Sequence, residues 1–488
     1  MRLLVPILIP ISTWAQTTYT WNGSASNAWN TAANWTPATG FPTAADHAII
    51  VAGTNPTRLD MARSITNITV NSGTLDLNGF TLTSTGDGNF NGGAVNNGTF
   101  AANSASGSVT FGASTFGAAV SGNASVVRFT GATFNGAVNI TKTGASLDYS
   151  TGTNTFNSTA TFTVTNGRLY LANTGTTAFN GNVVVNSTGS SGGVWMGQNT
   201  GTLTLATGRT FTTGTFNVGS LLFRNFTQIG TTAQVFNLTG SATLYYQVGT
   251  TFNAAVTSVS PGLYFTGTTF NSSAKFTKTG VGNEYSGGGN VFNGTAEFVV
   301  TGTGTLFPAN TGVDTYNGNL LLNSTNTGGI VFGQGTGSST LAAGGLLQVG
   351  SAGYSDGPLR LRDFNFPGTT PQSLVLGVAA AYTQSGSTTF GGNLSVTAGS
   401  IYLHGGTVNG NATYTKTGTT HDWGSGGCVF NGTLELINQN TGIIGPCNTG
   451  IDAYNGDIIV SNTSSGSIRF GNGGGVGTLA AGRTLSIG

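Results

Sequence analysis

The chain has 488 residues, 80 of them glycine, with 38% hydrophobic and only 6% charged residues and a net charge of +1. That balance leaves no basic footprint for nucleic acid and no electrostatic pull toward a membrane surface, so solubility has to come from hydroxyls and amides. The apolar fraction, with 29 Phe, also excludes a disordered linker, which lacks the apolar material to offset chain entropy.

The first segment reads as an export signal. Met1-Arg2 is a short charged start, Leu3–Ile11 is apolar, and Thr13-Trp14-Ala15 supplies a cleavage pattern. Residues 1–15 therefore read as a secretory signal peptide. The stretch is too short to span a bilayer, and no later stretch is long enough. Residues 16–52 differ in character from the rest of the chain: Trp21, Trp29 and Trp35 cluster there, punctuated by Pro37 and Pro42. A stacked sheet has an open end that pairs with anything, and terminal caps are the usual protection in solenoids, so this segment reads as an N-terminal cap. Over 53–114 short alternating strands such as Ile65–Val70 and Thr74–Leu77 are separated by Asn/Gly turns, which reads as the first β-coils.

Three long repeats come next, over 115–250, 251–388 and 389–488, the last incomplete. Thr-Lys-Thr-Gly recurs around Lys142, Lys278 and Lys416, 136 and 138 residues apart. Within each copy an aromatic followed by Asn or Gly keeps a shorter beat. It falls at Phe116, Phe134, Phe156 and Phe179, then at Phe252, Phe270, Phe292 and Tyr316. In the third copy it falls at Phe390, Val408, Phe430 and Tyr454. A period near 20 residues is one turn of a solenoid. The spacing predicts strands of four or five residues, three per turn, with each aromatic stacked over its counterpart one coil away. The neighbouring Asn residues would form a ladder of side-chain amides. Sandwich modules in a row fit less well, because sandwich strands are not equivalent to one another. The third copy stops early with no closing cap in view, which reads as the front part of a longer protein.

Each copy places an acid and an aromatic six residues after the Lys: Lys142 with Asp148-Tyr149, Lys278 with Glu284-Tyr285, Lys416 with Asp422-Trp423. One reading is a repeated ligand site, since an acid beside an exposed ring suits a pyranose. The other, favoured here, is an exposed ion pair closing a turn, worth about 0–1 kcal/mol. Arg224 and Arg362 also correspond, as structural pairing. Cys428 and Cys447 are one coil apart and read equally as a disulfide or as two buried thiols.

Several patterns carry nothing. Gly477–Thr484 imitates a phosphate loop but has Arg483 where Lys is needed, and no helix follows. Asp87–Gly92 matches the front of a calcium loop, but its twelfth position is Gly98. His47, His404 and His421 have no metal-ligand spacing. General acid–base work needs paired groups, and 14 acids are scattered over the chain. Asp314 and Asp452 repeat two residues before the aromatic mark, with Thr177 at the matching place in the first copy. No catalytic residue, cofactor or metal is expected, and the chain reads as a non-enzyme.

With these residues laid out, the chain resembles large repetitive secreted or cell-surface β-helix proteins of Bacteroidetes-type bacteria, adhesin-like cargo of type IX secretion. The resemblance rests on Thr20-Trp-Asn-Gly-Ser with Trp29, Asn34-Trp35 and Pro42, and on the Phe-Thr-Lys-Thr-Gly, Phe-Asn-Gly and Asn-Ser-Thr-Gly repeats. It implies a right-handed parallel β-helix, export and surface display, with a C-terminal sorting or anchoring region to follow. The expected role is a scaffold or a repeated weak-binding surface for cell-surface glycans or other cells, in an all-β solenoid with no transmembrane segment. The alternatives are a polysaccharide-binding or polysaccharide-degrading β-helix and an ice-binding face built from the Thr-x-Thr strings at Thr81–Thr83, Thr161–Thr165 and Thr202–Thr204.

Overall fold

The computed structural model describes residues 16–189 and 191–488, so the signal-peptide reading over 1–15 lies outside the described residues. The chain is a β-solenoid of about twenty turns. Among the described residues the only helical turn is the 3-10 segment Ala32–Asn34, and no helix is long and apolar enough to cross a membrane. Two compact units divide at Gly144/Ala145.

The first unit begins with the cap. Trp21, Trp29 and Trp35 are buried and meet edge to face, with centroids 4.7–5.0 Å apart. Each indole N–H is satisfied: Trp29 donates to the Pro42 carbonyl at 3.2 Å, Trp35 to the Trp29 carbonyl at 2.7 Å, and Trp21 to the Asn55 carbonyl at 2.9 Å. The strand Thr18–Trp21 pairs in parallel with His47–Ile50 on one side. On its other side it pairs antiparallel with Trp35–Thr36. That reversed strand occupies an edge which would otherwise template another chain. Beyond the cap the strands run parallel. Thr99–Phe111 and Ala119–Phe129 are long enough to turn a corner, and their register shifts between Ser104 and Ser108 as the backbone bends.

In the second unit each coil contributes strands to three faces. The first face carries five-residue strands such as Val256–Ser260, Ala274–Lys278 and Ala296–Val300. The second face carries the short strands Thr251–Phe252, Thr269–Phe270 and Val291–Phe292. The third face runs through Leu147–Tyr149, Arg168–Tyr170, Gly193–Met196, Ser220–Phe223, Thr243–Tyr246 and Gly262–Phe265. It resumes with Glu284–Tyr285, Leu306–Phe307, Ile330–Val331 and Asp356–Arg362.

The aromatic beat is the inner column of the second face. Phe252, Phe270, Phe292 and Tyr316 are buried and stack in turn, with centroids 5.7, 5.2 and 5.0 Å apart and ring planes within 5°. Each buried Phe is worth about 1.5–3 kcal/mol of apolar burial, and each ring pair adds about 0.5–1.5 kcal/mol. The Asn after each ring points outward and forms the expected amide ladder. Asn271 donates to Asn253, Asn293 to Asn271, and Asn317 to Asn293, each at 2.7 Å. Glycine is needed where coils press together. Gly288 sits at φ +76°, and a Cβ there would lie 2.7 Å from the Gly312 backbone.

Candidate ligand-binding face

The fold turns the Lys and the acid of each repeat inward and the aromatic outward. Alternation along Ala274–Lys278 puts Ala274, Phe276 and Lys278 inside, so the amine ends within the coil rather than on its surface. Lys278 donates to the Gly280 carbonyl at 2.8 Å. Lys142 donates likewise to Gly144 at 2.7 Å and to Ser125 at 3.3 Å. Each ammonium satisfies carbonyls that the Thr-Lys-Thr-Gly corner turns inward, where an unpaired carbonyl would be costly.

The acids are buried too, which corrects the expectation of an exposed ion pair. Lys416 and Asp422 pair at 2.9 Å with both side chains fully buried. Asp422 also accepts from the Ile401 amide at 2.8 Å and from Thr420 Oγ1 at 2.7 Å. Asp148 is buried and accepts from Ser146 Oγ at 2.6 Å. Glu284 is 7% exposed; burial pushes its carboxyl above the ordinary range, against the Tyr264 hydroxyl and Lys278, which pull it down. Burial pushes Lys278 below its ordinary range, with Glu284 opposing. An acid beside an exposed ring, as a sugar site would need, is therefore not what the repeat builds. The aromatics alone face outward: Tyr149 and Tyr285 are exposed, and Trp423 is half-buried over Gly445, where a Cβ would collide with the indole.

Those exposed rings belong to a longer outward stripe that spacing did not reveal. Register aligns Tyr149, Tyr170, Trp195, Leu222, Tyr245 and Tyr264 in one column of the third face. Leu169, Val194, Leu221, Leu244 and Leu263 occupy the inner face of the same strands. Tyr149 and Tyr170 stack at 4.5 Å, as do Tyr245 and Tyr264 at 4.8 Å. Further along, Tyr285 stacks on Phe307 at 4.4 Å. The break comes at Trp195, which meets Tyr170 edge-on at 67° and carries the Arg168 guanidinium over its ring at 4.6 Å.

Beside the stripe the outward residues are small, Gly193, Ser220 and Thr243 in register. A wall of Trp195, Leu222 and Tyr245 next to that small floor leaves an open groove of about 890 Å³, reaching from Leu147 and Arg168 to Gln247. Trp195 donates its indole N–H to Ser220 Oγ at 2.7 Å, which fixes the ring at the groove edge.

The remaining candidates resolve structurally. Cys428 and Cys447 are free and buried, so the disulfide alternative is not what the structure holds. Burial, and secondarily Asp452, pushes the Cys428 thiol far above its ordinary range. Asp314 and Asp452 point inside. Asp314 accepts from the Asn290 amide at 2.9 Å, Asp452 from the Cys428 amide at 2.8 Å, and burial raises each carboxyl to about 6. Asp457 lies outside, accepting from the Thr484 amide at 2.9 Å, so this near neighbour of Asp452 is on the other side of the wall. Asp87 accepts from the Ser108 amide at 2.7 Å and holds a turn. Among the described residues no group of three or more His, Cys, Asp or Glu side chains is placed to hold a metal ion. The Thr-x-Thr strings separate: Thr161–Thr165 lies on a first-face strand and Thr202–Thr204 on the second face, while Thr81–Thr83 belongs to the first unit and pairs with the Thr99–Phe111 strand.

No family model, curated protein or solved structure matches the chain.

Proposed function

We propose that this protein is an adhesin-like, non-enzymatic β-solenoid, exported for surface display, whose third face binds an extended glycan. The observation that carries the reading is the groove bounded by Arg168, Trp195, Leu222, Thr243, Tyr245 and Gln247. Ligand sites of this kind combine an apolar wall with a few polar groups that set orientation. The C–H face of a pyranose packs against Trp195 and Tyr245, and its hydroxyls meet Thr243 and Gln247. The aromatic stripe extends the contact beyond one groove, so a polymer gains from effective concentration where a single sugar does not. The interior position of Asp148, Asp422 and Asp452 supports binding over hydrolysis, because glycosidases need two carboxyl groups facing the bond to be cleaved.

Affinity electrophoresis through gels containing a panel of soluble polysaccharides tests the reading. Retardation by at least one polymer, lost in Trp195→Ala and Tyr245→Ala, is the expected result. A chain that migrates identically in every gel would end this proposal. A column of Thr227, Thr251 and Thr269 on the second face favours ice binding as the competing reading, but Val291 interrupts it at the next coil. Inhibition of ice recrystallisation by the purified protein would support that competitor.

A further inference from the structure

Resting on the glycan reading, the charges of the third face narrow the class of polymer. The stripe carries guanidinium groups toward both ends. At one end Arg168 lies flat over Trp195. At the other, register continues the same outward column through Val331, Arg360, Thr383 and Tyr402. Arg360 and Arg362 are tethered by one residue: Arg360 donates to Gln334 Oε1 at 3.2 Å and Arg362 to the Gln334 carbonyl at 3.0 Å. Arg362 has Asp363 at 3.2 Å as its partner. Among the described residues no carboxylate lies within ion-pair reach of Arg168 or Arg360. Two strands beyond, in the column of Arg362 and Ser385, His404 stacks with Tyr402 at 9° between ring planes. The His404 Nδ1 accepts the Ser425 amide N–H at 3.0 Å, which leaves Nε2 as the N–H donor of the neutral ring.

The acids near this column are already engaged. Asp363 is held by Arg362 and by the Ser387 amide at 2.8 Å. Asp356 accepts from the Gly357 amide at 2.6 Å. Glu284 and Asp422 are turned inward. In a chain with 6% charged residues, the fold has buried Glu284 and Asp422, paired Asp363 and tied Asp356 to a backbone amide, and it leaves Arg168 over an aromatic ring and, among the described residues, Arg360 without a carboxylate partner. Arginine is the side chain best shaped for planar oxyanions.

We infer that the ligand of the third face is an anionic polysaccharide, bearing carboxylate or sulfate groups that Arg168 and Arg360 engage while its rings lie along the aromatic stripe. Strand spacing puts the two cationic points on the order of 40 Å apart, so an oligosaccharide of a few sugars reaches only one of them.

The test uses the full chain in affinity electrophoresis against polygalacturonate, dextran sulfate and unsulfated dextran, at low salt and at about 0.5 M NaCl, where surface charge is largely screened. Expected are retardation by polygalacturonate or dextran sulfate, weaker at high salt, and about tenfold weaker binding for Arg168→Gln and for Arg360→Gln. Arg209→Gln, an exposed cation on a different corner, should bind as the parent does. Unsulfated dextran bound as tightly as the anionic polymers, with both arginine variants unchanged, overturns this inference and leaves the glycan reading standing. Equal weakening by Arg209→Gln overturns it as well, because bulk charge would then be the cause. Binding of single-stranded poly-dT with the same arginine dependence overturns it in favour of a nucleic acid. Retardation by none of the polymers removes the glycan reading itself.

Discussion

Two aromatic columns run through the second unit, one inside and one outside, and they use the same contact. Phe292 and Tyr316 stack at 5.0 Å with planes 2° apart, and Tyr285 and Phe307 stack at 4.4 Å with planes 11° apart. What differs is the surroundings. Phe292 is 1% exposed and is also met edge-on by Phe298 at 5.9 Å, whereas Tyr285 is 49% exposed. The same ring pair is therefore core in one place and accessible apolar surface in the other. The contrast teaches that stacking in a solenoid is imposed by register, and that burial alone decides whether it holds the fold or is open to a partner.

Truncating the inner column should give the largest effect. Phe292→Ala removes a ring from a packed stack and is expected to cost about 3–5 kcal/mol in denaturant unfolding. A loss below about 0.5 kcal/mol, the size of a surface change, would mean the ring is not in the core. Lys416→Ala should fall in the same range, about 3–5 kcal/mol, because it strands the buried Asp422 carboxylate. Its control is Lys275→Ala, whose partner Glu297 lies at 3.0 Å but whose side chain is 42% exposed; that loss should stay under about 1 kcal/mol. Equal costs for the two lysines would erase the distinction between inside and outside.

An intermediate effect is expected from pH. Burial raises Asp314 and Asp452 from 3.8 to about 6. A carboxyl raised on folding contributes stability that is fully present below its unfolded value and is lost as pH climbs through the folded value. Unfolding free energy should therefore fall between about pH 4 and pH 7, by roughly 3 kcal/mol for each group. Asp457, held below its ordinary range chiefly by the Thr484 amide, acts in the opposite sense but lies at the surface, where solvent screens it. Asp452→Asn should flatten the slope, and a variant whose slope equals that of the parent would refute the assignment. The smallest effect belongs to the outer column: Tyr285→Ala should cost no more than about 1 kcal/mol. A cost matching Phe292→Ala would make the outer rings structural and leave the third face without free apolar surface.

The inner column was legible because an aromatic-Asn pair marks the short strand in several coils of each copy, at spacings that recur from copy to copy. The Lys-acid spacing was legible as well, but its direction was not. The turn between Lys416 and Asp422 resets the alternation, so counting by twos along the sequence cannot say that both side chains enter the coil. The outer stripe escaped for a related reason. Its members stand at 149, 170, 195, 222, 245 and 264 and change from Tyr to Trp to Leu, without a companion such as the Asn that marks the inner column. The Ser220–Phe223 strand is buried at all four positions and lacks even an alternating pattern. Only the strand register brings Tyr170, Trp195 and Tyr245 into line, and the groove beside them depends on Gly193 and Ser220 standing where larger side chains would have filled it.

The amide ladder has a direction. The described rungs point the same way: Asn180 donates to Asn157, Asn293 to Asn271 and Asn431 to Asn409, each from the later coil to the earlier one. The carboxamide dipoles therefore add head to tail, as peptide dipoles do along a helix. Each rung polarises the next. A run such as Asn253 to Asn317 thus carries an electrostatic polarity made wholly of neutral side chains, its first Nδ2 donating on to the Gln228 and Ile229 carbonyls of the coil before. In a chain with so few formal charges, those aligned dipoles give successive coils a sense of order, and a coil stacked in reverse would meet donor with donor.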